Sequence, residues 1–182
     1  MLLIARLNER TQPMDRGARY EDVLDEFLKK RGLGEVTGGG SQLAATGEIE
    51  YCDVEISLAD TSDDALAVIA QALEMLGAPK GSKLISQTPK REQAFGRNEG
   101  LAIYLNGTDL PEHIYSECDA NFVYSEFNRL LGELGSVHSH WQGPRETALY
   151  VYGESASAMQ SALDSFLATY PLCQRARLVQ IA

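Results

Sequence analysis

The chain has no long hydrophobic run, no paired cysteines, no surplus of basic side chains and no catalytic motif. Each absence closes a class. With no stretch of about 18 consecutive apolar residues, there is no membrane-spanning helix to read. The apolar start from Met1 to Ala5 ends at Arg6, too soon for the core of a secretion signal. A soluble chain that stays in the cytoplasm is therefore expected, with no membrane partner. The three cysteines, Cys52, Cys118 and Cys173, show neither a Cys-x-x-Cys pair nor a disulfide rhythm, which suits a reducing compartment. Against 26 acidic residues there are only 16 Lys and Arg, a formal charge of -10. Nucleic-acid binding is driven by basic side chains that neutralise phosphates, so no nucleic acid is expected and a basic protein partner is.

What is present is an ordinary globular composition, 44% hydrophobic and 23% charged over 182 residues, enough for one large domain or two small ones. The clearest local signal lies beyond Gly47. There Cys52, Val54, Ile56 and Leu58 alternate with Tyr51, Asp53, Glu55 and Ser57, the period-two pattern of a strand with one face in the core. Before it, Leu2 to Leu7 reads as a strand. Tyr20, Val23, Leu24, Phe27 and Leu28 make the apolar stripe of a helix whose basic residues, Lys29 to Arg31, gather at its C-terminal end. The glycines from Gly38 to Gly40 read as a hairpin loop. Asp60, Thr61 and Ser62 offer N-caps for a helix carrying Leu66, Ile69, Ala70, Leu73 and Leu76, and Lys83 to Ile85 begins a last strand.

Residues 88–100 are polar, contain Pro89 and Gly96, and read as a linker. The order then repeats: a strand at Leu101 to Leu105, a helix at Asn121 to Leu131, strands at Ser136 to Trp141 and Thr147 to Tyr152, a helix at Ser155 to Tyr170 and a strand at Arg177 to Ile181. Shared details such as Leu33-Gly34 and Leu134-Gly135 point to an internal duplication. The fold expected is α+β, two tandem ferredoxin-like β-α-β-β-α-β units with antiparallel sheets, over residues 1–87 and 101–182. Such units bury one sheet face beneath two helices and leave the other open. On the open face the alternation places Tyr51, Asp53 and Glu55 in the first half, and His138, His140, Tyr150 and Tyr152 in the second.

Several stretches, Gly34 to Gly40 (Gly-Glu-Val-Thr-Gly-Gly-Gly), Tyr104 to Pro111, Trp141 to Tyr150 and Tyr170 to Gln174 (Tyr-Pro-Leu-Cys-Gln), resemble an uncharacterised bacterial family. The resemblance covers most of the chain, is strongest from Leu101 onward, and implies no activity or catalytic residue. In size, acidity and lack of chemistry the chain is also similar in character to immunity proteins that bacteria pair with toxins.

Each chemical candidate has a simpler reading beside it. Gly38 to Ser41 could cradle a phosphate, but lacks the Lys-Ser/Thr of a P-loop and precedes no helix. His138 and His140 share a strand face in the alternating pattern, yet nothing nearby supplies the other ligands of a structural metal site, and no metal or cofactor is expected. Cys118 could be a thiolate at a helix start, with a histidine from the 138–140 strand; Asp119 as an N-cap and Cys118 as a packing residue explain the pair more simply. Trp141 is either half-buried at a loop or an exposed anchor. The expectation is a non-enzymatic acidic binding protein, an immunity protein that covers the active site of a basic toxin domain through Tyr51, Asp53, Glu55, His138, His140, Trp141, Tyr150 and Tyr152. The alternative is a regulatory module binding a small ligand at the seam of the two units.

Overall fold

A computed structural model describes residues 1–59, 62–87 and 90–182, in two compact units, Met1–Asn98 and Glu99–Ile181. The first opens with β1 (Leu2–Leu7). A continuous helical stretch follows, made of α1 (Pro13–Arg16), a π-helical turn (Gly17–Glu21) and α2 (Asp22–Arg31). Strands β2 (Gly34–Leu43) and β3 (Ile49–Leu58), helix α3 (Asp63–Met75), and strands β4 (Ser82–Gln87) and β5 (Lys90–Phe95) complete it. The second contains β6 (Glu99–Asn106), α4 (Glu112–Glu117), α5 (Ala120–Leu131), β7 (Gly135–Gln142), β8 (Glu146–Gly153), α6 (Ala156–Thr169) and β9 (Arg177–Gln180). No helix among the described residues is long and apolar enough to cross a membrane.

The sheets are antiparallel, ordered β2-β3-β1-β4-β5 and β7-β8-β6-β9. In both, the unit's first strand sits between its third and fourth, so each is ferredoxin-like in topology as well as in element order. The alternation does what periodicity requires: Cys52, Val54, Ile56 and Leu58 are all buried and pack with Leu3, Ala5 and Leu7 beneath Leu24, Leu28, Ile69 and Leu73. In the second unit Leu101, Ile103, Leu105, Leu149 and Val151 meet Val123, Phe127, Leu131, Met159 and Leu163.

One local reading changes. Residues 90–95, read as linker, form β5, which pairs with β4 from Ser82↔Phe95 to Gln87↔Lys90. Its charges hid it: as an edge strand it buries Phe95, while Arg91 reaches Asp63 in the first turn of α3 and Lys83 lies 3.4 Å from Glu92. Ser62 caps α3, its hydroxyl accepting from the Ala65 N–H at 3.3 Å; Asp60 and Thr61, the other expected caps, lie outside the described residues, as do Thr88 and Pro89.

The duplication extends to an irregularity. The β2–β3 ladder slips by one residue between Val36 and Gly38, and the β7–β8 ladder slips between Val137 and Ser139. In each unit a helix side chain reaches the edge strand at the same place, Asp25 Oδ1 accepting from the Val36 N–H and Asn128 Oδ1 from the Val137 N–H, both at 3.0 Å. Gly34 and Gly135 open the two strands where a Cβ would lie 2.1 Å from the Ser57 oxygen and 2.6 Å from the Tyr152 oxygen. A bulge and a capped edge amide both discourage pairing with another strand.

Candidate functional site

A one-residue bulge inverts which face every later side chain takes. After the bulge in β2, Gly39 stands opposite Val54 and Ser41 opposite Cys52, both core residues, so Gly39 and Ser41 face the helices. After the bulge in β7, His140 stands opposite Leu149 and Gln142 opposite Thr147, so His140 and Gln142 do the same. His138, at the bulge, stays near Tyr152, with ring centroids 5.0 Å apart. The two histidines therefore occupy opposite faces, and a shared His-x-His metal site is not formed.

In the first unit the space over the bulged strand is filled. Arg16, which is 7% exposed, donates to Glu21 Oε1 at 2.5 Å, to the Gly40 oxygen at 2.9 Å and to Ser41 Oγ at 3.0 Å. The π-helical turn between them carries both side chains to the same strand. A Cβ on Gly39 would lie 2.5 Å from the Asp53 oxygen, 2.7 Å from Glu21 Oε1 and 3.1 Å from Arg16 Nε. The glycine run is thus neither a phosphate cradle nor a hairpin loop; it is bare strand beneath an ion pair. The hairpin turn lies after it, where the Ala44 N–H donates to the Glu48 oxygen at 2.8 Å. Beside it the fully buried Tyr20 donates its hydroxyl to the fully buried Glu9 carboxylate, and burial, reinforced by Glu9, pushes the Tyr20 phenol far above its ordinary range.

In the second unit the corresponding space is an open groove of about 480 Å³. Asn121 and Tyr124 on α5 form one wall, His140 and Gln142 on β7 and Thr147 and Leu149 on β8 the other. Tyr124 is 41% exposed. Among the described residues no protein group hydrogen-bonds the Asn121 or Gln142 carboxamide, the Thr147 hydroxyl or the Tyr124 hydroxyl, so these face the groove with their hydrogen-bonding capacity unspent. Among the described residues no Asp, Glu, Lys or Arg lines it. Asp119 caps α5, accepting from the Asn121 N–H at 2.8 Å.

A second groove of about 230 Å³ shares Ala120, Gln142 and Thr147 with the first and is closed by Asn106, Tyr115, Cys118 and Leu172. Asn106 Oδ1 accepts from the Thr108 N–H at 3.0 Å, the Asp109 N–H at 2.7 Å and the Tyr115 hydroxyl at 3.2 Å, which fixes its loop. Cys118 is half-buried here, whereas burial pushes the Cys173 thiol up to about 12.

The expected partner-facing residues do not form one open surface. Tyr150 and Tyr152 are each 1% exposed. Arg6 stacks over Tyr51 at 4.0 Å and grips Asp53 with two hydrogen bonds of 2.9 Å, which engages both side chains within the unit. Glu55 is exposed. Trp141, half-buried opposite Ala148, folds its ring over Gly143, where a Cβ would lie 2.0 Å from it. Of these residues only His140 lines the groove. Gln142 was hidden because the bulge at His138 reverses the alternation of β7, and Asn121, Tyr124 and Thr147, from α5 and β8, join it only through packing.

No family model and no curated protein matches the chain. Among solved structures it is similar to the first two RRM domains of yeast poly(U) binding protein (Pub1), at 13% identity over 100% of this chain and 99% of that one, with a TM-score of 0.25. It is also similar to RNA recognition domains 1 and 2 of Sex-lethal from Drosophila melanogaster, at 16% identity over 98% of this chain and 99% of that one, with a TM-score of 0.28. At those scores the likeness carries no argument of its own, and strand order establishes the ferredoxin-like units. The expectation of a toxin-binding surface that excludes nucleic acid is corrected on the geometry of the chain itself. Tyr150 and Tyr152, meant to hold a toxin, are buried, and Tyr51 and Asp53 are engaged by Arg6 within the unit. Net charge sets the long-range phosphate term, but it does not decide whether a local groove accepts an unpaired base.

Proposed function

We propose that the chain binds single-stranded RNA, without turnover, by taking an unpaired base into the groove between α5 and the β7–β8 hairpin. One observation carries this: two aromatic rings, Tyr124 and His140, share an uncharged groove with two unengaged carboxamides, Asn121 and Gln142. Unstacked bases are held by stacking on Tyr or His and by hydrogen bonds to their edges. A carboxamide offers a donor and an acceptor side by side, which matches a base edge. The comparison between units adds support, since the same place in the first unit is sealed by Arg16 and Glu21.

The test is fluorescence anisotropy with short labelled oligomers of A, C, G and U, on the full chain and on Tyr124→Ala. Stacking is worth about 1–3 kcal/mol per base, so the variant is expected to lose about five-fold to more than a hundred-fold in affinity. If none of the four oligomers binds at low salt, the reading is wrong.

A further inference from the structure

Resting on that RNA reading, we infer that the site takes two consecutive nucleotides, with the second groove holding the neighbouring base and Arg145 and Arg175 gripping the phosphate that joins them. The two grooves are separated by the cross-strand pair Gln142↔Thr147, which lines both, so a strand entering the first groove is carried over that ridge into the second. The second groove is preorganised: Asn106 holds its loop through three accepted hydrogen bonds, and the Tyr115 hydroxyl also accepts from the Leu110 N–H at 2.9 Å.

Positive charge gathers at its rim. Arg145 Nη2 lies 3.6 Å from Asp109 Oδ2, and Arg175 Nη1 donates to the Asp109 oxygen at 3.2 Å. Two guanidinium groups thus meet at one acidic residue, Arg145 at its carboxylate and Arg175 at its backbone carbonyl, in a chain whose net charge is -10. The backbone of Arg145 adjoins the groove, because the Gly107 N–H, on the groove wall, donates to the Arg145 carbonyl oxygen at 2.7 Å. Arg175 is also the one non-glycine among the described residues in the left-handed region, with φ of 60°. Such a conformation is unfavourable for a residue with a side chain, and backbone strain of this kind clusters at ligand clamps.

Cys118 gives a reporter inside the second groove, with Cys52 and Cys173, both buried, as internal references. The experiment measures the affinity of ribodinucleoside monophosphates, their uncharged methylphosphonate analogues and the matching nucleoside monophosphates. In parallel, mass spectrometry follows alkylation of Cys118 by iodoacetamide. Expected results are affinity for the dinucleotide about tenfold or more above either mononucleotide, slowed Cys118 alkylation under dinucleotide but not mononucleotide, and about a tenfold loss on neutralising the linkage or in the Arg145→Gln, Arg175→Gln double variant. Equal affinity for one and two nucleotides, or undiminished Cys118 alkylation under saturating dinucleotide, overturns the two-nucleotide site while leaving base binding in the first groove intact. Absence of binding by every RNA, long or short, instead removes the RNA reading on which this inference rests.

Discussion

Gly39→Ala and Gly40→Ala are the same chemical change one residue apart in one strand, and the structure assigns them opposite outcomes. At Gly39 the new methyl would lie 2.5 Å from the Asp53 backbone oxygen and 2.7 Å from Glu21 Oε1. The first cannot move without shifting β3, and the second cannot move without loosening the Arg16 pair. Overpacking costs about 1–3 kcal/mol. Loss of a partner from a buried ion pair costs about 3–5 kcal/mol, an upper bound here because the Glu21 side chain is 22% exposed. Together these place Gly39→Ala at about 2–4 kcal/mol of destabilisation. At Gly40 a Cβ meets nothing within 4 Å, so the same change should lie within about 0.5 kcal/mol of the parent, with the lost flexibility of the unfolded chain acting in its favour. In urea unfolding followed by circular dichroism, with a slope of about 2 kcal/mol/M, the Gly39 midpoint should fall by about 1–2 M while the Gly40 midpoint stays in place. Failure of Gly39→Ala to fold belongs at the large end of the same expectation. Coincident midpoints for the two variants would refute the account of the glycine run as strand beneath an ion pair.

Stability should fall on the alkaline side. Burial raises the Tyr20 phenol and the Cys52 thiol, so each contributes stability that is complete below its unfolded pKa, about 10 and 8.5, and is lost as pH rises from there toward the folded value. Each adds a slope of about 1.4 kcal/mol per pH unit, and Tyr20→Phe should remove one share; a Tyr20→Phe profile parallel to the parent's above pH 10 would contradict it. On the acid side, hydrogen bonds from Lys29 and the Val36 N–H hold Asp25 below the usual carboxylate range. Its contribution is present above about pH 4 and is lost as pH falls through the lowered value, so Asp25→Asn should flatten the acid limb of the denaturation curve. Asn128→Ala strands the Val137 N–H and should cost about 1–2 kcal/mol, read most directly as faster hydrogen exchange at that amide. Unchanged protection there would mean that the carboxamide does not cap the strand.

The sequence by itself determined what depends on local period. Alternation from Cys52 to Leu58, the helical stripe through Leu24 and Leu28, and the recurrence of the whole order after residue 100 were enough for two ferredoxin-like units, because each element must bury one face and only a few topologies bury all of them. Tertiary structure decided everything that passes through the two bulges. An extra residue in a strand leaves no mark on composition, yet it sends His140 and Gln142 to the helix side and leaves His138 with Tyr152 on the other. It also turns a glycine run that reads as a loop into the floor of an ion pair. β5 carries no apolar period because an edge strand is permitted to be polar, its charges pairing with Lys83 on the neighbouring β4 and with Asp63 on α3. The groove belongs to the same class: Asn121, Tyr124, Gln142 and Thr147 come from three elements, and only the packing of α5 over a register-shifted hairpin brings them to one place.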